Sequence, residues 1–96
     1  RSRQMLIQNY PNPFTYQTTI SFHLTRPGMV RLSIYDLSGR HIALLVNEMR
    51  PAGNHTVQWN GTDDAGGQLS SGIYICNLIS GAGMQSKIMI LTRSEF

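Results

Sequence analysis

From Thr19 to Leu24 the chain alternates, with Ile20, Phe22 and Leu24 on one parity and Thr19, Ser21 and His23 on the other. Successive side chains of a strand point to opposite faces, so this stretch predicts a half-buried β-strand. Pro27-Gly28 turns the chain, after which Val30, Leu32 and Ile34 repeat the pattern against Arg31, Ser33 and Tyr35. The turn residues Asp36-Leu37-Ser38-Gly39 then predict a hairpin into a strand carrying Ile42, Leu44 and Val46 on its buried face. Beyond Pro51-Ala52-Gly53, the residues His55, Val57 and Trp59 share one parity and Thr56 and Gln58 the other, which makes Trp59 the expected core anchor. Asn60 to Gly67 has the composition of a loop, and Gly72–Ile79 and Met84–Leu91 are two apolar, β-branched runs around Ser80-Gly81-Ala82-Gly83, the signature of a last hairpin. No helical period occurs. Short strands with turn signals at this spacing predict an all-β fold, an immunoglobulin or fibronectin type III-like β-sandwich of about seven antiparallel strands without a disulfide.

Ahead of these strands stands Asn9-Tyr10-Pro11-Asn12-Pro13-Phe14. Pro11 and Pro13 fix φ and remove two backbone donors, and Asn12, preceding a proline, is pushed toward extended geometry. The segment is expected to be a stiff, kinked strip that delivers Tyr10 and Phe14 against a sheet before the first regular strand.

The 96 residues suffice for one domain and are too few for a second independent core. No apolar run approaches the roughly 20 residues that span a bilayer, so direct membrane insertion is not expected. The formal charge is +3, but Arg1, Arg3, Arg26, Arg31, Arg40, Arg50, Lys87 and Arg93 are scattered singly. Phosphate tracking calls for clustered cations with interleaved aromatics, and nucleic acid is not an expected partner. Cys76, the only cysteine, lies in an apolar run and reads as a buried thiol. Arg1-Ser2 and residues 94–96 look like remnants of cloning sites, so a module spanning residues 3–93 of a longer protein is expected.

Catalysis needs converging groups, and none converge in the sequence. Asp36 falls in a hairpin turn, Asp63 and Asp64 in a loop, and the three histidines, His23, His41 and His55, lie on strands with parities that separate them. No catalytic residue, transition-metal site or cofactor is expected. A calcium site could draw on Asn60, Thr62, Asp63 and Asp64, but no Glu follows at the spacing that closes such a loop, and turn-building is the favoured reading. Tyr16 and Tyr35 are the residues that could stack a sugar in a polysaccharide contact; Trp59 and Tyr74, within apolar strands, read as core.

Four pieces in order, Asn9 to Phe14, Tyr35-Asp36-Leu37-Ser38-Gly39-Arg40, Ser71-Gly72-Ile73-Tyr74 and Lys87-Ile88-Met89-Ile90-Leu91, closely resemble the C-terminal sorting domain of proteins exported by the type IX secretion system of Bacteroidetes and their relatives. The likeness covers Gln8 to Arg93. The stretch Trp59 to Tyr74 is also similar to the immunoglobulin-like domain of flagellar hook-capping proteins. The first resemblance implies a non-catalytic sorting and attachment module of a multidomain protein such as a hydrolase, carried through the periplasm to the cell surface by secretion-machinery partners. The alternative is a structural or carbohydrate-associated accessory domain of a secreted enzyme. The resemblance gives structural roles to Pro11, Asn12, Pro13, Phe14, Asp36, Gly39, Arg40, Gly72 and Tyr74. Partner recognition is expected to fall to Lys87, Ile88, Met89, Ile90, Leu91 and Arg93, with the last strand offering unpaired backbone groups for strand addition.

Overall fold

The computed structural model describes residues 7–93, so the expected limits of the module lie partly outside the described residues. The strands are β1 (Ile7–Tyr10), β2 (Thr18–Leu24), β3 (Gly28–Asp36), β4 (His41–Arg50), β5 (Gly53–Trp59), β6 (Gly72–Ser80) and β7 (Gly83–Leu91). All neighbours pair antiparallel, in a three-stranded sheet β1-β2-β5 and a four-stranded sheet β4-β3-β6-β7. The expected seven-stranded sandwich is therefore what the chain forms.

Alternation places the core where the sequence puts it. Ile20, Phe22 and Leu24 of β2 face Val30, Leu32 and Ile34 of β3 and Tyr74, Cys76 and Leu78 of β6, all buried. Trp59 closes the core at 2% exposure. Sealing large apolar side chains between two sheets is the main favourable term in such a fold, and Ile20, Leu32, Ile34 and Leu78 are wholly withdrawn from water. Burial likewise pushes the Cys76 thiol up to about 12, because the thiolate cannot be solvated there.

Two expectations need correction. Tyr10 is 81% exposed, because it belongs to a regular strand, β1, whose Ile7 and Asn9 point inward and whose Gln8 and Tyr10 point outward. In β4 the strict alternation of Ile42, Leu44 and Val46 fails. Leu32 pairs with Val46 and Ser33 with Leu44, then Ile34 with Ala43 and Tyr35 with His41, so Leu45 and Ile42 are each an extra residue in the ladder. Each bulge shifts parity by one. Ile42, Ala43 and Val46 end up buried, whereas Leu44 and Leu45 are half-buried.

Candidate functional site

The family-motif residues, far apart in sequence, gather at one pole of the sandwich. Register requires it: Asp36 pairs with Tyr74, Gly72 with Leu91, Thr18 with Trp59, and Phe14 bridges Leu91. At the centre three rings meet. Phe14 lies 5.6 Å from Trp59 at 55°, and Trp59 lies 5.9 Å from Tyr74 at 74°, tilted and edge-on arrangements that rings favour. Their polar ends are satisfied, the Trp59 indole Nε1 donating to the Thr62 carbonyl at 3.0 Å and the Tyr74 hydroxyl to the Ser70 carbonyl at 2.8 Å. The Tyr74 bond reaches back four residues, like the corner tyrosine of immunoglobulin-type sandwiches.

The Asn12 side chain works as one more rung of the β-ladder. Its Nδ2 donates to the Ile88 carbonyl at 3.0 Å and its Oδ1 accepts from the Ile90 amide at 2.9 Å. The strip continues through Phe14, whose amide donates to the Ile90 carbonyl and whose carbonyl accepts from the Thr92 amide. Prolines 11 and 13 suit a strip that bonds through a side chain and one later residue, since neither has an amide to offer. A buried polar pair anchors the approach: Asn9 Nδ2 donates to Thr18 Oγ1 at 3.1 Å, and that hydroxyl donates to the Pro11 carbonyl at 2.8 Å. Sequence reading missed Asn9 and Thr18; the inward parity of Asn9 behind Ile7 is the signal that could have found it.

This strip corrects in part the expectation of unpaired backbone groups from Lys87 to Arg93. The outward groups of Ile90, the Ile88 carbonyl and the Thr92 amide are already bonded. By the same parity, the Met84 and Ser86 groups and the Ile88 amide of β7 face outward without a partner among the described residues. The side chains divide as well. Ile88 and Ile90 are exposed on the outer face, Met89 and Leu91 are buried, and Lys87 sits half-buried at the inner rim.

Arg93 is a clasp. Its Nε donates to the Leu69 carbonyl at 2.9 Å, Nη1 to Thr15 at 3.1 Å, and Nη2 to Gly61 at 3.0 Å and Asn60 at 3.2 Å, while its backbone amide donates to Ser71 Oγ at 2.7 Å. One guanidinium thus ties the β1–β2 and β5–β6 connections to the segment after β7, using the fixed donor fork that lysine lacks. Gly61 is the counterpart: its φ is +72°, and a Cβ there would run into the Arg93 guanidinium.

Two turns share one design. The Asp36 amide donates to the Arg40 carbonyl and the Gly39 amide to the Asp36 carbonyl, while Oδ1 accepts from the Ser38 and Arg40 amides. Asp63 repeats every bond with Gly66, Ala65 and Gly67. Gly39 and Gly66 adopt φ of +89° and +88°, as the last bend of each turn requires. The Asp36 carboxyl is held below its ordinary range, first by the Ser38 hydroxyl and then by the Arg40 amide. Asp64 Oδ1 instead accepts from the Leu44 amide at 2.9 Å, and Asn60 Oδ1 accepts from the Thr62 hydroxyl. One oxygen each of Asn60, Asp63 and Asp64 thus accepts from a separate protein donor, and the Thr62 hydroxyl is itself a donor. Of the histidines, His23 bonds Asn54, His41 packs edge-on against Tyr35, and His55 stacks on Phe22 beside Arg50. Tyr16 is exposed in the loop before β2, and Tyr35 is half-buried on β3.

The fold and this pole define an immunoglobulin-like β-sandwich. The model of one family, the FlgD Ig-like domain, matches residues 11–80, and the chain belongs to that family. Among solved structures, the chain is similar to dimeric latent PorU from Porphyromonas gingivalis, with a TM-score of 0.71 and 20% identity over 94% of this chain and 9% of that one. It is also similar to PorZ of the same organism, described as an essential bacterial surface component of the type-IX secretion system (0.60, 21%, covering 91% and 11%). FlgD from P. aeruginosa gives 0.64 and 18%, covering 90% and 73%. The chain thus spans about a tenth of the length of PorU and of PorZ. At these identities the likeness establishes the fold. No curated protein matches the chain.

Proposed function

We propose that this domain is a non-catalytic sorting and attachment module, recognised by the type IX secretion machinery and carried with a multidomain partner through the outer membrane to the cell surface. The observation that carries the reading is the recurrence of this fold over more than nine-tenths of the chain in PorU and PorZ, the second a surface component of that system. The four motif segments support it, since they stand in the order and spacing of the sorting family. A rigid sandwich with the Pro11–Phe14 strip and Arg93 tied together at one pole suits an address that must stay folded while it is read. Recognition through backbone pairing then falls to Met84, Ser86 and the Ile88 amide, with the Ile88 and Ile90 side chains exposed beside them.

A second reading, a structural spacer, is favoured by the match to the FlgD Ig-like domain. Fusion of residues 3–93 behind a periplasmic reporter, in a host with a type IX system, separates the two. The sorting reading expects the reporter at the cell surface or in the medium; a reporter that stays in the periplasm favours the spacer.

A further inference from the structure

The outer faces of the two sheets differ in chemistry. On the three-stranded sheet, Gln8, Tyr10, Thr19, Ser21, His23, Asn54, Thr56 and Gln58 point outward, as a solvated face should. On the four-stranded sheet most outward positions are apolar. Met29 pairs with Met49, Ile79 with Met84, Ile75 with Ile88, and Ile73 with Ile90. Seven of the exposed large apolar side chains stand here: Met29, Met49 and Met84 at 52%, 65% and 66% exposure, with Ile73, Ile79, Ile88 and Ile90. A contiguous set of this kind on one side of a small domain marks an interaction surface. Its composition, methionine, isoleucine and arginine without carboxylates, is that of an interface core, and methionine adapts to varied partners.

One charged residue sits among them. Arg31 pairs across strands with Asn47 on one side and Ile79 on the other, and with Met29 and these two it lines a shallow depression of about 220 Å3. Arg40 and Arg50 have carboxylate partners and Arg93 has its carbonyls, but Arg31 has no hydrogen-bond or ionic partner among the described residues. None of the described acids lies on this face: Asp36 and Glu48 have the opposite parity, and Asp63 and Asp64 belong to the loop at the pole.

We propose that the outer face of the four-stranded sheet docks a different protein, one that presents an apolar surface with a carboxylate placed against Arg31. Charge selects this occupant over a second copy, because a facing copy brings another Arg31 and no acid to meet it. The exposed guanidinium, flanked by methionine and isoleucine, offers a carboxylate a directed, charge-assisted bond there. The inference goes beyond the export reading and holds for the spacer reading equally.

The test titrates the 15N- and methyl-labelled 96-residue chain with acetyl-Leu-Glu-Leu-amide and, separately, acetyl-Leu-Gln-Leu-amide, followed by NMR. The expected result is shifts clustered at Met29, Asn47, Ile79 and Met84, with the Glu peptide preferred about two- to fivefold, the range of a solvent-accessible ion pair. Arg31→Gln should keep the melting temperature and abolish the preference; Ile88→Ser should weaken both peptides alike. Shifts confined to other surfaces, no saturable shift, or an undiminished preference in Arg31→Gln would overturn the proposal. So would concentration-dependent dimerisation that Ile88→Ser removes, since it would make a second copy the occupant.

Discussion

At the scale of single residues, Arg93 and Asp36 show charge used for architecture. Arg93 spends its guanidinium on four backbone carbonyls, so truncating it leaves those acceptors without their donor as well as removing the tie between loops. Arg93→Ala is expected to destabilise the domain by about 3 kcal/mol, and Arg93→Lys to recover less than half, because an ammonium cannot reach the same fork of acceptors. Chemical denaturation of the two variants checks this. Asp36 makes a different prediction. Its carboxyl titrates lower in the folded chain than in the unfolded one, so between those two values the unfolded chain binds more protons. The Asp36 contribution is therefore fully present above the ordinary aspartate value of about 3.9 and lost as the pH falls through the depressed folded value. Melting curves of Asp36→Asn against the parent should differ near neutral pH and converge on acidification.

At the scale of elements, the strip from Pro11 to Phe14 explains why the last strand is not an open edge. An exposed ladder of amides and carbonyls invites pairing with other chains, and here one asparagine side chain and one phenylalanine backbone cover its second half. Asn12→Ala should cost about 1 to 3 kcal/mol for two lost bonds to β7 and one to Asn9 and should raise the tendency to aggregate, measured by denaturation and by light scattering on heating. This element also marks where sequence reading stops. Two prolines around Asn12 announce extended, helix-free geometry, but nothing local says that the amide serves residues 76 and 78 positions later. The same limit applies to β4, where Ile42-Ala43-Leu44-Leu45-Val46 is apolar throughout, so no polar residue marks the bulges. In β2, β3 and β5, where polar residues interleave, both faces are legible. The one-turn kinship of Asp36 and Asp63 was half visible: each begins an Asp-x-x-Gly run, but only the structure shows the shared bonds.

At the scale of the whole molecule, the chain has two poles and two unlike faces. One pole holds the ring cluster, the strip, both Asp turns and Arg93; the other holds Pro27-Gly28, Pro51-Ala52 and the Ser80–Gly83 turn. β1 lay where a strip ahead of the first regular strand was expected, whereas class and the other six strands followed from alternation and turn spacing. The distribution of strands between sheets did not, because antiparallel strands joined by a short turn can pair or cross to the other layer, and β2–β3 and β4–β5 cross. The candidate site was legible as a set of residues but not in its roles. Residues expected to meet a partner, Met89, Leu91 and Arg93, instead hold the domain closed, while Ile88 and Ile90 remain outside.

That closure of β7 by the Pro11–Phe14 strip is the central claim, and native-state hydrogen exchange tests it most directly. The Ile90 and Thr92 amides, bonded to Asn12 and Phe14, should be protected by orders of magnitude relative to the Ser86 amide, which faces outward on the same strand. Exchange of Ile90 and Thr92 as fast as Ser86 would contradict it.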